Sequence, residues 1–146
     1  MPRGVFDALH DYAGVWAARE VRVWEEYWWT LPLEIGNQIG ELMNAPMNSV
    51  AIHGNVTQCQ QWSLPALTSA TSAIGWFTPT LLVPLSHVIF RSSYINDAKA
   101  ICEKAHRVGA HVILDTFQSL GSGVPVDVRE LNVDFVCGRD HSLKSA

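Results

Sequence analysis

Gly109–Val136, GAHVILDTFQSLGSGVPVDVRELNVDFV, is the stretch whose reading decides the fold. Ala110 to Leu114 is a short, mostly apolar and β-branched run, with Gly109 before it and Asp115 directly after it. Such a run predicts a buried parallel strand that stops at a working edge. Ligands of open α/β sheets sit just beyond the carboxyl ends of the strands, so Asp115 stands where a functional side chain would project. A carboxylate in that position is costly to leave unpaired and calls for a cationic partner.

Working outward, Leu81–Leu85 (LLVPL) reads as a second buried strand, with Pro84 marking a strand end or an edge. Ser92 or Ser93 is placed to cap a helix whose Ile95, Ala98, Ile101, Cys102, Ala105 and Val108 form one apolar face, and Gly109 follows as its C′ residue. Strand, helix and strand in so short a span predict a βαβ crossover with parallel strands. Val126–Leu131 reads as a helical turn and Val133–Val136 as a third strand. The fold class is α/β.

Before this core, Val5, Leu9, Tyr12 and Trp16 recur at helical spacing and predict an amphipathic helix from about Arg3 to Ala18. VRVWEEYWWTLP is an aromatic-rich segment in which Pro32 ends one element or starts the next. Its large aromatics suit packing against another element, another subunit or a substrate. Ile35, Ile39, Leu42 and Met43 form a further helical face that ends near Asn44–Pro46. Ser49–His53 reads as a short strand followed by a Gly-Asn turn, with Asn55 or Thr57 capping a helix that starts there. A helix start offers free N–H groups and a positive dipole end to an anion. Residues 62–80 carry no clear periodicity. The chain is therefore expected to be one unit, residues 1–46 forming N-terminal helices and residues 47–146 an α/β core.

With 146 residues, 48% of them hydrophobic and 16% charged, the composition is that of a globular domain. A formal charge of −4 with no basic stripe argues against a nucleic-acid surface. Cys59, Cys102 and Cys137 are far apart and lie in no CxxC pair, which predicts free thiols in a reducing compartment and neither a disulfide framework nor a metal site. His53, His106 and His111 have no metal-like spacing, and His87 reads as a satisfied strand-end histidine. The N-terminus lacks the apolar core of a signal peptide and no run reaches membrane-spanning length. A cytoplasmic protein is the expectation.

Ser86 and His87 follow one predicted strand, Asp115 and Gln118 another, and Lys144 lies past the third. A hydroxyl, an acid, an amide and a lysine at one sheet edge suit a cofactor with a cationic ring nitrogen and an aldehyde. At these residues, LLVPLSHVIFRSSYINDAKAICEKAHRVGAHVILDTFQSLGSGVPVDVRELNVDFV resembles the kynureninase-like branch of the class V aminotransferases, which are fold-type-I pyridoxal-phosphate enzymes. MPRGVFDALHDYAGVWA and WEEYWWTLPLEIGNQIGELMNAP resemble the N-terminal helices of those proteins, and SVAIHGNVTQ their first phosphate-contacting segment. The strand-Asp-x-x-Gln unit followed by VPVDV is the most specific part of the likeness.

The resemblance implies a partial fold-type-I large domain with a mostly parallel sheet, pyridoxal 5′-phosphate as cofactor, an amino acid as substrate and a homodimer as assembly. It implies that Asp115 pairs with the pyridine nitrogen and that Gln118 lies by the ring and its phenolic oxygen. Val56 and Thr57 match the phosphate-binding pair, Ser86 a hydroxyl near the cofactor, and Lys144 the Schiff-base lysine, which must be neutral to attack an aldehyde. Three departures accompany it: Lys144 stands about two residues beyond the family's lysine position, GSG lengthens the run before VPVDV, and the span from Thr57 to Thr80 is short of a strand–helix block. The resemblance also implies no counterpart here of the family's C-terminal small domain. Kynureninases carry His where Gln118 stands and Tyr where Leu143 stands. The implied activity is accordingly Cβ–Cγ hydrolysis, β-lyase chemistry or transamination of an amino acid, impaired in this chain. The alternative is a truncated, non-catalytic remnant that binds a partner subunit.

Overall fold

The computed structural model describes residues 4–59, 61 and 82–139. Three parallel strands, β1 (Leu82–Ser86), β2 (His111–Asp115) and β3 (Phe135–Cys137), lie side by side in that order. Each stands one or two residues further along than its apolar run predicts. The register pairs Ser86 with Asp115 and Asp115 with Cys137, so the three strand ends share one carboxyl edge. This is an α/β fold with a parallel sheet and flanking helices, as the sequence predicts.

α1 (Gly4–Arg19), a π-helical turn (Trp24–Trp28) and α2 (Leu31–Leu42) precede the sheet; α3 (Ala98–Arg107) links β1 to β2, and the single turn α4 (Val128–Leu131) precedes β3. α3 starts later than expected. Asp97 caps it, its Oδ1 accepting from Ala100 N at 3.0 Å. Ser93 sits in the left-handed region at φ 54°, which interrupts any helix begun there, and Ile95 pairs with Val88 in an antiparallel bridge. At its other end α3 closes as predicted: Gly109 has φ +75°, its N–H donates to His106 O at 3.0 Å, and Ala110 N donates to Ala105 O at 3.0 Å.

Strand alternation turns Val83, Leu85 and Val112 to the α3 face, where they pack with Cys102, Ala105 and Ala110. The small side chains on α3 let helix and sheet approach closely. A second cluster joins Met43, Leu120 and Val126 with Ile39, Val50, Val128, Leu131 and Val136, and this is where α2 meets the sheet.

The predicted strand Ser49–His53 carries no strand assignment and pairs with no strand among the described residues. Val50 lies instead across the glycine face of α2: a Cβ on Gly36 would stand 2.6 Å from Val50 O, and one on Gly40 3.5 Å from its Cγ2. The two glycines draw the segment onto the helix and away from the sheet. Pro32 is the second residue of α2 and starts that helix. α1 buries no residue, although Tyr12 and Trp16 stack on Trp28.

Two aspartates tie these parts together. Asp127 caps α4, its Oδ1 accepting from Arg129 N and Glu130 N at 2.9 Å, while Oδ2 accepts from Asn44 Nδ2 at 2.9 Å just past α2. The Glu130 amide, then the Asn44 side chain, hold the Asp127 carboxyl below its ordinary range. Asp134 receives three donors at the opposite edge of the sheet: His106 Nε2 at 2.9 Å, His111 Nδ1 at 2.8 Å and Val112 N at 2.8 Å. Burial pushes the Asp134 carboxyl up, but the bonds from His106, His111 and Val112 outweigh it and leave it below its ordinary value. The two histidines thus meet on a carboxylate that links α3, β2 and β3. Among the described residues no group of three such side chains is arranged to hold a metal ion, and no helix is long and apolar enough to cross a membrane.

Asp134→Ala leaves three donors without their acceptor and should lower unfolding stability by about 1–2 kcal/mol, the partial exposure of the site reducing the upper figure. Because the folded carboxyl lies below its ordinary 3.8, its contribution is complete above that value and is lost as pH falls through the folded value. Urea melts at pH 7 and pH 3 should show the wild type losing part of its advantage over the variant at the lower pH.

Candidate active site at the carboxyl edge of the sheet

Asp115 is the last residue of β2, and its position is fixed on both sides. His87 N donates to Asp115 O at 2.9 Å, and the next amide, Thr116 N, donates to Cys137 O at 2.8 Å. The side chain then folds over the turn: Oδ1 accepts from Phe117 N at 2.9 Å. Oδ2 has no hydrogen-bond partner among the described residues, so this half-buried carboxylate keeps one oxygen for a donor from outside.

Thr116 and Ser119 are fully buried and start a compact turn in which Ser119 N and Leu120 N both donate to Thr116 O at 3.0 Å. The turn holds Gln118 half-buried with its amide unpaired among the described residues. Ser86 ends β1 directly beside Asp115, and Asn96 Nδ2 donates to its carbonyl at 2.7 Å. Ser86, Asp115 and Gln118 line one cavity of about 140 Å³, together with Val88, Phe90 and Phe117. The pocket is open to solvent on the Phe90 side, and its volume is of the order of a six-membered ring. Its lining offers a hydroxyl, an acceptor-only carboxylate oxygen and an amide over an apolar floor. That donor set fits an aromatic cation whose ring nitrogen donates to Asp115 and whose neighbouring oxygen meets an amide or hydroxyl.

The other residues singled out in the sequence lie elsewhere. Val56 lines a larger cavity of about 690 Å³ on the far side of Phe117, among Ile39, Met43, Cys137 and Arg139. Thr57 is exposed in the helical residues 56–59 and lines neither cavity. Asn55 caps that segment, its Oδ1 accepting from Gln58 N at 2.9 Å, which settles the choice between Asn55 and Thr57. Lys144 lies outside the described residues.

His87 departs from its expected part as a satisfied histidine. It is 5% exposed, its Nδ1 is buried without a partner among the described residues, and burial lowers its pKa. Alternation turns it away from Ser86, toward the α3 face. Gly138 escaped notice in the sequence because no turn signal surrounds it. A Cβ there would run into Thr116 Oγ1 and come within 3.2 Å of Thr116 C. β3 can therefore lie against the Asp115 turn only without a side chain at 138.

The family model described as Aminotransferase class-V matches residues 56–141, a span that holds Val56, Thr57, Ser86, Asp115 and Gln118. An uncharacterized aminotransferase, YcbU, of Bacillus subtilis is 40% identical over 57 residues, covering 39% of this chain and 15% of that protein. Kynureninase of Pseudomonas fluorescens is 36% identical over 59 residues, covering 40% of this chain and 14% of that protein. O-phospho-L-seryl-tRNA:Cys-tRNA synthase of Methanothermobacter thermautotrophicus is 34% identical over 65 residues, covering 44% and 17% respectively. The matched stretches thus span about a seventh of the length of these relatives.

Gly138→Ala should cost about 1–3 kcal/mol in urea unfolding, because Thr116 is fully buried and has no room to withdraw. His87→Leu removes a buried nitrogen that must stay neutral. Since the folded pKa lies below the ordinary 6.5, stability is complete above that value and drains as pH falls below it. The midpoint advantage of His87→Leu over the wild type should accordingly grow from pH 7.5 to pH 5.

Proposed function

Because this chain belongs to the aminotransferase class-V family, we propose that its carboxyl-edge cavity is the ring end of a pyridoxal 5′-phosphate site and that the protein transforms an amino acid. The single observation that carries this reading is the set of groups on one small cavity that have no hydrogen-bond partner among the described residues: Asp115 Oδ2, the Gln118 amide and the Ser86 hydroxyl.

When bound, the cofactor supplies an electron-accepting pyridinium ring for bonds broken at the substrate's α-carbon. Asp115 accepts the ring N–H and, as an anion, holds the proton on that nitrogen. Phe117 N, by occupying Oδ1, points the other oxygen at the ring. Gln118 donates to the phenolic oxygen and, having no titratable group, orients the ring without exchanging protons. Ser86 adds a hydroxyl on the β1 side. Val56 and Thr57 open a helical segment whose free N–H groups suit the phosphate. Lys144 is the covalent anchor and the base at the α-carbon in this reading.

Cβ–Cγ hydrolysis, β-elimination and transamination all begin from the same held ring, and the proposal extends to that group of reactions. A homodimer in the cytoplasm goes with the reading. The exposed apolar stripe of α1, with Phe6 69% and Leu9 58% exposed, supports the dimer.

The test is to mix the purified chain with pyridoxal phosphate, reduce with borohydride and map the labelled peptide by mass spectrometry. One stoichiometric label on Lys144 is expected. Asp115→Ala should weaken cofactor binding about 10- to 100-fold, the range for loss of a hydrogen bond to a charged group, with an unchanged circular dichroism spectrum. Scattered labelling, or affinity indifferent to Asp115, would refute the assignment.

A further inference from the structure

The geometry points to a second site, separate from the sheet edge: a corner formed by Trp24 and Trp29, with Glu25 at its side, that binds a small alkylated ammonium cation. Its origin is the π-helical turn. Trp29 N donates to Trp24 O at 3.1 Å, a five-residue step, so residues 24 and 29 stand one above the other where an α-helix would have set them apart. The two indoles meet at a centroid distance of 5.3 Å with planes tilted by 54°. Beside this touching pair lies a solvent-open hollow of about 320 Å³ lined by Val21, Trp24, Glu25 and Trp29.

The corner is held in place from behind. Trp28 is buried at 8% exposure, sandwiched with Tyr12 at 4.7 Å and Trp16 at 5.6 Å. It meets Trp24 edge to face at 5.4 Å and 89°. Trp24 therefore presents its ring without needing to reorganise, which lowers the cost of binding.

The charges around the corner select the ligand. Glu26, the neighbouring carboxylate, is paired with Arg19 on the other side of the turn. Glu25 has no ion pair among the described residues, and no cationic side chain lines the cavity. The exposed indole surface of the pair, one apolar side chain and one carboxylate without an ion pair among the described residues disfavour an anion and offer little to a neutral polar molecule. They suit a cation whose charge is spread over methyl groups, because such a cation gives up little hydration and meets ring faces directly. A compact, strongly hydrated ion would be held less well.

The experiment titrates the full chain with choline and, in parallel, with 3,3-dimethyl-1-butanol, its uncharged isostere. Binding is followed by the indole N–H signals of Trp24 and Trp29 in two-dimensional NMR. Choline should saturate at millimolar concentration and move those two signals, while the alcohol binds at least about fivefold more weakly. Glu25→Gln, which keeps the size of an exposed side chain, and Trp29→Leu, at a position 69% exposed, should each weaken choline about threefold to fivefold with the circular dichroism spectrum unchanged. Equal binding of choline and the alcohol would reduce the corner to an apolar patch and overturn the inference. So would a choline titration that ignores Glu25→Gln, or signals that never move.

Discussion

Two backbone hydrogen bonds on either side of one peptide unit hold the candidate site together: His87 N to Asp115 O, and Thr116 N to Cys137 O. They carry the ladder from β1 through β2 to β3 at the very end of the sheet. With both made, the Cα of Asp115 cannot move without breaking the pairing of a neighbour. The carboxylate is then aimed by a third bond, from Phe117 N, so one oxygen faces the turn and the other the cavity. Position comes from the sheet and orientation from the turn. Gly138 belongs to the same constraint, since the Cys137 carbonyl reaches Thr116 only if β3 passes without a Cβ.

The opposite edge solves a different problem. The cluster under α3 is built from Cys102, Ala105, Ala110 and Val112, small side chains that bury little area each. Close approach of helix and sheet brings polar groups near the interior, and Asp134 gathers them: two histidines and one backbone amide on a single carboxylate. One carboxylate stabilises the amino edge through satisfied bonds, while another, Asp115, keeps an oxygen unpaired at the carboxyl edge. The contrast is between a carboxylate whose bonds are made within the fold and one that keeps an acceptor unused among the described residues.

The sequence was readable where one residue type had one physical meaning. Gly109 after an apolar helical face implied a left-handed helix end, and it has φ +75°. The run Ala110–Leu114 followed by Asp implied a strand ending in a polar edge, and Ser86, Asp115 and Gln118 came together as their strand positions suggested. It misled where tertiary packing outweighed local pattern. Ile95 matched the helical period yet pairs with Val88, because the left-handed Ser93 and the Asp97 cap delay the helix. Ser49–His53 has strand-like composition, but the bare glycine face of α2 gives Val50 a better surface than an unpaired sheet edge. The meeting of His106 and His111 on Asp134 has no local signal, since it joins residues brought together only by the crossover.

Phe117 links the two halves of the candidate site. Phe117 lines both the cavity that holds Asp115 and the larger one that holds Val56, and its backbone amide orients the Asp115 carboxylate. A rotation of the 116–117 peptide would release Oδ1 and move the partition between the cavities in one step. The fully buried Thr116 resists that rotation, since its own amide and hydroxyl both reach Cys137 O, at 2.8 Å and 3.4 Å. The wall is therefore set by the residue before it, and the separation of the two cavities is a property of the turn.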